Sequence, residues 1–298
     1  MDNPVGVVGV GNMGLPLAQR LLDTGHAVVV HDLLPEREAL AQQAGATRAE
    51  SAAALARRCG VIIVVVVDAA QTHAVLFGPS GVVDLPPPAR RAHTVLLCPT
   101  IAPADVEQAA TKLTAHGIAC IDAPMSGGPA RTRDGSMSLM VACGDALFEQ
   151  HRALLQALSA RLFRVGVRPG DGARTKLVNN LLAAVNLAGA AEAIALAQRL
   201  GLDALTTLQV IEQSSGQSWI GSDRMARALA GDLMPRAHTT LLAKDSALAM
   251  AMARDSGIEP ALGARAAALF RAACAAGHAD EDDGSLLNYL GGSASSPR

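Results

Sequence analysis

The chain opens with short, continuous runs of apolar and mostly β-branched residues: VGVVGV at 5–10, AVVVHD at 27–32, VIIVVVV at 61–67, TVLLC at 94–98 and IACIDA at 118–123. These runs are continuous rather than alternating, so each reads as a strand covered on both faces. Between them lie stretches with helical spacing, such as MGLPLAQRLLDTG at 13–25 and APADVEQAATKLTAHG at 102–117. The latter has Pro103 near its start and Gly117 just past its end, the punctuation of a helix. Strands alternating with helices predict a doubly wound, mostly parallel sheet of Rossmann type. SLMVACG at 138–144 and RLFRVG at 161–166 are expected to add strands at the edge.

Beyond residue 166 the β-branched runs vanish. An Ala- and Leu-rich helical pattern takes over at 173–200, 203–215, 238–256 and 260–276. The expectation is an α/β protein with an NAD-binding Rossmann domain over 1–165 and an all-α C-terminal domain over 166–298 for substrate binding and dimerisation. The 173–200 stretch is apolar on nearly every face, as a helix buried between domains or subunits is, which points to a homodimer or homotetramer. The tail, 280–298, is expected to end as a short helix and then a disordered, functionally silent end.

Composition narrows the function. A length of 298 residues suits two domains. Charged residues make up 17% of the chain and the formal net charge is -2, so no bulk electrostatic pull toward nucleic acid or anionic lipid is expected. Four Phe, one Tyr and one Trp are too few for the stacking platforms of single-strand nucleic-acid binders. The five cysteines include no CxxC pair and fit reduced, buried thiols. The eight histidines have neither HxxxH nor HxH spacing, so no metal site is expected. The N-terminal run is broken by glycines and lacks a basic lead, and the run at 61–67 is far too short for a bilayer span. These features predict a cytoplasmic protein that acts on a small molecule, with no nucleic-acid or membrane partner.

Candidate chemistry begins at GVGNMG, residues 9–14, which follows a strand and opens a helix. Gly9 permits the tight turn, Gly11 lets backbone amides approach a pyrophosphate, and Gly14 lets helix and sheet pack closely. The second strand ends at Asp32, 23 residues after Gly9, where a carboxylate accepts hydrogen bonds from the adenosine ribose. A glycine turn with an unrelated surface aspartate is the alternative. Asp32 would repel a 2′-phosphate, which favours NAD, while Arg37 keeps NADP open.

Further on, Ser126, Gly127 and Gly128 follow a predicted strand and offer a hydroxyl and backbone amides to a carboxylate, although a plain turn fits them too. GDGARTKLVNNLL then sets Lys176, Asn179 and Asn180 into the first turns of an apolar helix, projecting from one patch. Helix geometry leaves two readings: a lysine that snorkels to solvent beside capping asparagines, or one facing a cleft.

The segments GVVGVGNMGLPLAQRLL, DAPMSGG…GSMSLMVACG, GDGARTKLVNNLL and LLAKDSALA stand in the order and at the separations found in the β-hydroxyacid dehydrogenases, the group similar to 3-hydroxyisobutyrate dehydrogenase. The resemblance covers essentially the whole chain. It implies NAD(P)-dependent oxidation of a 3-hydroxy acid at its hydroxyl carbon, or reduction of the matching aldehyde or ketone. By position it implies Lys176 as the catalytic lysine, with Asn180 and Ser126, Gly127 and Gly128 holding the substrate. It implies Gly9, Gly11, Asn12, Met13, Gly14 and Asp32 as the cofactor fingerprint, with Val67, Asp68 and Thr100 at the nicotinamide half and Lys244 near cofactor and substrate. One lysine can serve as general base for oxidation and general acid for reduction, and partial desolvation is the usual route to such a lysine.

SSGQSWIGSDRMARALAGD at 214–232 resembles the L-threonate dehydrogenase branch of that family, whose substrates are four-carbon sugar acids. It suggests Trp219 as a substrate contact, with a core or interface role the alternative. Arg131-Thr132 stands where several members have Gly-Ala, which bears on the loop beside Ser126. The leading expectation is an NAD-dependent 3-hydroxyacid dehydrogenase. The alternatives are an NADPH-preferring reductase of tartronate semialdehyde, glyoxylate or a related small aldehyde, and a non-catalytic dinucleotide-binding scaffold.

Overall fold

The computed structural model describes residues 3–291. The chain divides into two compact units, Met1–Lys176 and Leu177–Arg298. The first carries nine strands: β1 (Val5–Val8), β2 (Val28–His31), β3 (Thr47–Arg48), β4 (Val61–Val64), β5 (Thr94–Leu97), β6 (Ala119–Asp122), β7 (Met125–Ser126), β8 (Ser138–Ala142) and β9 (Arg161–Gly166). Its helices are α1 (Gly14–Asp23), α2 (Pro35–Gln43), α3 (Ala52–Arg58), α4 (Ala69–Phe77), α5 (Pro103–Ala115), α6 (Gly128–Asp134) and α7 (Asp145–Leu158).

The strands form one sheet in the order β3-β2-β1-β4-β5-β6-β8-β7, with β9 on β8. Pairing is parallel from β3 to β6; β8 runs antiparallel to β6 and β7 and parallel to β9. Alternation along each strand feeds two cores. Val5, Val7, Val28, Val30 and Ile63 pack against α1 and α7, while Val8, Val29, Ile62, Val64 and Val95 pack against α3, α4 and α5. Both faces need apolar side chains, which is why the runs are continuous. The chain leaves β1 toward β2 and returns to β4 on its other side, so the switch point of the sheet, where such folds take ligands, lies at the carboxyl ends of β1 and β4.

The strands are shorter than the apolar runs that announce them. VIIVVVV is strand only over Val61–Val64; Val65 to Val67 leave the ladder and line a cavity. Two elements lie where no helix is expected: α6, directly after Gly127, and a helix beginning at Trp219.

The second unit is helical. Its elements are α8 (Asp171–Arg199), whose first turns belong to the first unit, α9 (Ala204–Glu212), α10 (Trp219–Leu229), α11 (Thr239–Asp255), α12 (Ala261–Ala273) and α13 (Leu286–Gly291). Leu187, Ala191 and Ile194 of α8 meet Leu208, Met225, Leu242, Phe270 and Leu286 in its core. Arg224 and Arg227 of α10 pair with Asp283 and Asp282 in the turn before α13. By length and composition α8 is apolar enough to cross a membrane, and 44% of its most apolar window is buried in the protein. Within the single chain it is not covered all round: Val178, Leu182 and Leu196, with Leu200 just beyond its end, are each more than half exposed. The disordered end expected after the final short helix falls outside the described residues.

Candidate active site

The first site feature is the turn after β1. Gly9 has φ 87°, and a Cβ on Gly14 would sit 1.8 Å from the Gly9 carbonyl oxygen, so only glycine lets α1 start this close to the strand. At Gly11 the same test finds no atom within 4 Å. Nothing in the protein requires glycine there.

Asp32, just past β2, faces this turn. Its Oδ2 accepts the Val10 N–H at 2.7 Å and its Oδ1 the Leu34 N–H at 3.0 Å, leaving further lone pairs on both oxygens. Gly9, Gly11, Asp32, Arg37 and Val67 line one cavity of about 580 Å³. A bare backbone at Gly11 and the Asp32 carboxylate lining the same cavity fit a dinucleotide. Asn12, Met13, Gly14, Asp68 and Thr100 do not line this cavity. Met13 packs on the core, and Asp68 caps α4 by accepting the Gln71 N–H at 2.8 Å.

Ser126 ends β7, and Gly127 (φ 136°) and Gly128 (φ 75°) turn the chain into α6. Pro129 follows and has no N–H, so the donors of this segment are the Ser126 hydroxyl and the Gly127 and Gly128 amides. The Arg131-Thr132 departure is absorbed locally: Thr132 is buried, and its hydroxyl donates to the Gly128 carbonyl at 3.0 Å.

Asp122, four residues before Ser126, is 1% exposed. Its Oδ2 accepts the Gly170 N–H at 2.9 Å and the Ala173 N–H at 3.1 Å, and the Gly172 N–H adds to these. The carboxylate thus caps the first turn of α8 and satisfies donors a helix start leaves open. A Cβ on Gly172 would lie 2.8 Å from the Asp122 carboxyl, which accounts for the second glycine of GDG. Burial raises the Asp122 pKa to about 6 against the pull of those N–H groups. One strand end therefore anchors both the Ser126 segment and the helix bearing Lys176, which lies one residue short of a full turn beyond Ala173. Lys176 is 7% exposed; the snorkelling alternative does not describe it.

In the second unit Asn180 is buried and Asn179 exposed, so the expected single patch divides, although Asn179 Nδ2 donates to Asn180 Oδ1 at 3.0 Å. Asn180 Nδ2 donates to Asp245 Oδ2 at 2.7 Å, and Lys244 Nζ donates to the other oxygen of Asp245 at 2.7 Å. Asp245 therefore joins the two residues that resemblance singled out. Trp219 opens α10 behind the Ser218 cap, and at 43% exposure it is no core residue.

Asp122 and Asp245 are the functional candidates missed in the sequence. The first stands at the head of DAPMSGG and the second directly follows Lys244. Four of the five cysteines are buried, and burial pushes the Cys59 thiol up to about 12 and Cys98 and Cys120 higher still, which makes them inert. Among the described residues no group of three or more His, Cys, Asp or Glu is placed to hold a metal ion.

Residues 4–166 match the family model described as the NAD binding domain of 6-phosphogluconate dehydrogenase, and 170–290 match that of the NAD-binding of NADP-dependent 3-hydroxyisobutyrate dehydrogenase. L-threonate dehydrogenase of Cupriavidus necator is 36% identical over 98% of this chain and 97% of its own length. The chain belongs to the β-hydroxyacid dehydrogenase family. Human mitochondrial 3-hydroxyisobutyrate dehydrogenase, another relative, is 30% identical over 96% of this chain and 86% of its own. A crystal structure of 3-hydroxyisobutyrate dehydrogenase from Salmonella typhimurium superposes with a TM-score of 0.89 at 32% identity, covering 97% of this chain and 100% of that one. This β-hydroxyacid dehydrogenase is an NAD(P)-dependent oxidoreductase built from a Rossmann-type domain and a helical C-terminal domain.

Proposed function

We propose that the protein is an NAD-preferring dehydrogenase that reversibly oxidises a small 3-hydroxy acid at its hydroxyl carbon, with Lys176 as general acid/base. The observation that carries this reading is the buried Lys176 near the start of α8, in a turn capped by Asp122. A bound nicotinamide supplies the hydride acceptor. The protein's own part is to hold the acid and move one proton: Lys176 takes the hydroxyl proton in oxidation and returns it in reduction. Ser126, Gly127 and Gly128 receive the substrate carboxylate, and Asn180, oriented by Asp245, holds the reacting end, with Trp219 contributing to the pocket. Gly9, Gly11, Asn12, Met13, Gly14 and Asp32 form the adenosine and pyrophosphate site; Val67, Asp68 and Thr100 attend the nicotinamide half, with Lys244 near cofactor and substrate.

Division of the chain near residue 166 into a cofactor-binding and a substrate-binding domain belongs to the same proposal. So does a cytoplasmic homodimer or homotetramer, supported by the exposed apolar stripe of α8. Among substrates, four-carbon sugar acids of the L-threonate type are favoured by the 36% identity to an L-threonate dehydrogenase across nearly the whole chain. A second reading, an NADPH-preferring reductase of small aldehydes, draws support from Arg37 on the wall of the Asp32 cavity.

The deciding experiment follows nucleotide reduction with NAD and NADP across L-threonate, D-erythronate, 3-hydroxyisobutyrate, glycerate and serine, beside Lys176→Ala. Turnover of one acid, lost in the variant, is the expected result. Silence from every acid, with turnover of glyoxylate or tartronate semialdehyde by NADPH, would overturn it in favour of the reductase.

A further inference from the structure

Asp32 is held from below as well as above. Glu38, in the first turn of α2, is 2% exposed, an unusual place for a carboxylate. Its Oε1 accepts the backbone N–H of Asp32 at 3.1 Å and lies 3.3 Å from His31 Nδ1. Its Oε2 pairs with Nε of Arg48 on β3 at 2.5 Å. The Ala49 carbonyl oxygen stands 3.2 Å from the same His31 nitrogen; with acceptors on two sides, Nδ1 carries the hydrogen. The Asp32 backbone thus rests on Glu38, while its carboxylate is held by the Val10 and Leu34 amides.

A carboxylate buried this deeply has a desolvation cost that an aliphatic side chain at 38 would avoid. What the carboxylate adds is a fixed acceptor beneath Asp32 and a second negative charge beside the cavity. Arg37, one residue earlier, lines that cavity and is the cation able to attract a phosphate there.

We propose that Glu38 is a positioning and specificity-determining residue for the cofactor: it fixes Asp32 for a ribose diol and, with Asp32, sets the cavity against a 2′-phosphate in opposition to Arg37. The proposal rests on the reading that Asp32 takes the ribose hydroxyls. Neither Glu38 nor Arg48 lines the cavity, so the effect is read in the ratio of NAD to NADP affinity.

The test compares dissociation constants of NAD and NADP for the parent, Glu38→Gln, Arg48→Met and Asp32→Ala. Glu38→Gln keeps an acceptor for the Asp32 N–H but removes the charge, and is expected to shift the preference toward NADP by about tenfold. Arg48→Met, at a half-exposed position, strips Glu38 of its counter-charge and is expected to shift preference the other way. Opposite signs are the signature, because a merely structural role lowers the melting temperature in both variants and leaves the ratio alone. Should Glu38→Gln fail to fold, Arg48→Met alone decides by its sign. An unmoved ratio in both, with Asp32→Ala collapsing it, overturns the role of Glu38 and leaves the Asp32 reading standing. An unmoved ratio in Asp32→Ala overturns both.

Discussion

Asp245 accepts one hydrogen bond on each oxygen, from Asn180 Nδ2 on Oδ2 and from Lys244 Nζ on Oδ1, both at 2.7 Å. The carboxylate fixes which way the Asn180 amide points, since its NH2 end must face Asp245. Asp245→Ala frees that amide to rotate and removes the Lys244–Asp245 hydrogen bond. A fall in kcat of about 100-fold is expected, with little change in NAD affinity; steady-state kinetics beside a calorimetric NAD titration measures both.

Lys176→Ala is expected to lose about 100- to 10,000-fold in turnover, the range for removal of a general acid/base, while NAD binds as in the parent. Stopped-flow or endpoint assays at high enzyme concentration cover that range. Equal turnover in variant and parent would remove Lys176 from the chemistry.

Ser126→Ala should separate from this in kind. A residue that anchors the substrate equally in ground and transition states raises KM and leaves kcat nearly unchanged. Initial rates across a wide range of acid concentration give the two constants independently, and an unchanged KM would argue against the anchor.

Asp122 carries a pH dependence. Burial lifts its carboxyl from 3.8 to about 6 in the folded protein, so the folded state holds that proton more tightly than the unfolded chain does. Its contribution to stability is full below about 3.8 and is lost as pH rises through about 6. Thermal melts of parent and Asp122→Asn between pH 4 and 7 should converge or cross in that sense, the parent losing ground as pH rises and the difference levelling above 6. The helix cap itself is tested by Asp122→Ala, expected to cost ~1 kcal/mol through the lost cap and more through the cavity.

The stripe on α8 predicts the assembly. Leu182 and Leu196 lie on one exposed face with Val178 and Leu200, and an aspartate at both positions is expected to turn an oligomer into a monomer in sedimentation velocity. An unchanged sedimentation coefficient would place the subunit contact elsewhere.

How much of this was legible in sequence depends on range. The strands were legible because parallel strands need apolar side chains on both faces, and the glycine turn because its spacing fixes a local geometry. The overlong reading at 61–67 arose because the same valines that fill a strand also line the cavity beyond it. Helix α6 was hidden by its glycines and proline, which also serve turns. Helix α10 was hidden because its polar residues, Arg224 and Arg227, are inside, satisfied by Asp283 and Asp282, 59 and 55 residues away. Asp122 and Asp245 stood in plain view beside known motifs. Their roles depend on contacts 48 and 65 residues distant, and no local pattern carries that.

The empty space at Gly11 sets stability and activity against each other at a single methyl group. Alanine there meets no neighbour and restricts the unfolded chain, a change generally worth ~0.4–1 kcal/mol in favour of the fold where the backbone permits it. The same methyl stands where the pyrophosphate is proposed to approach. A selection for thermal resistance alone would therefore favour Gly11→Ala and lose the enzyme, so a stabilised lineage has to be screened with cofactor present.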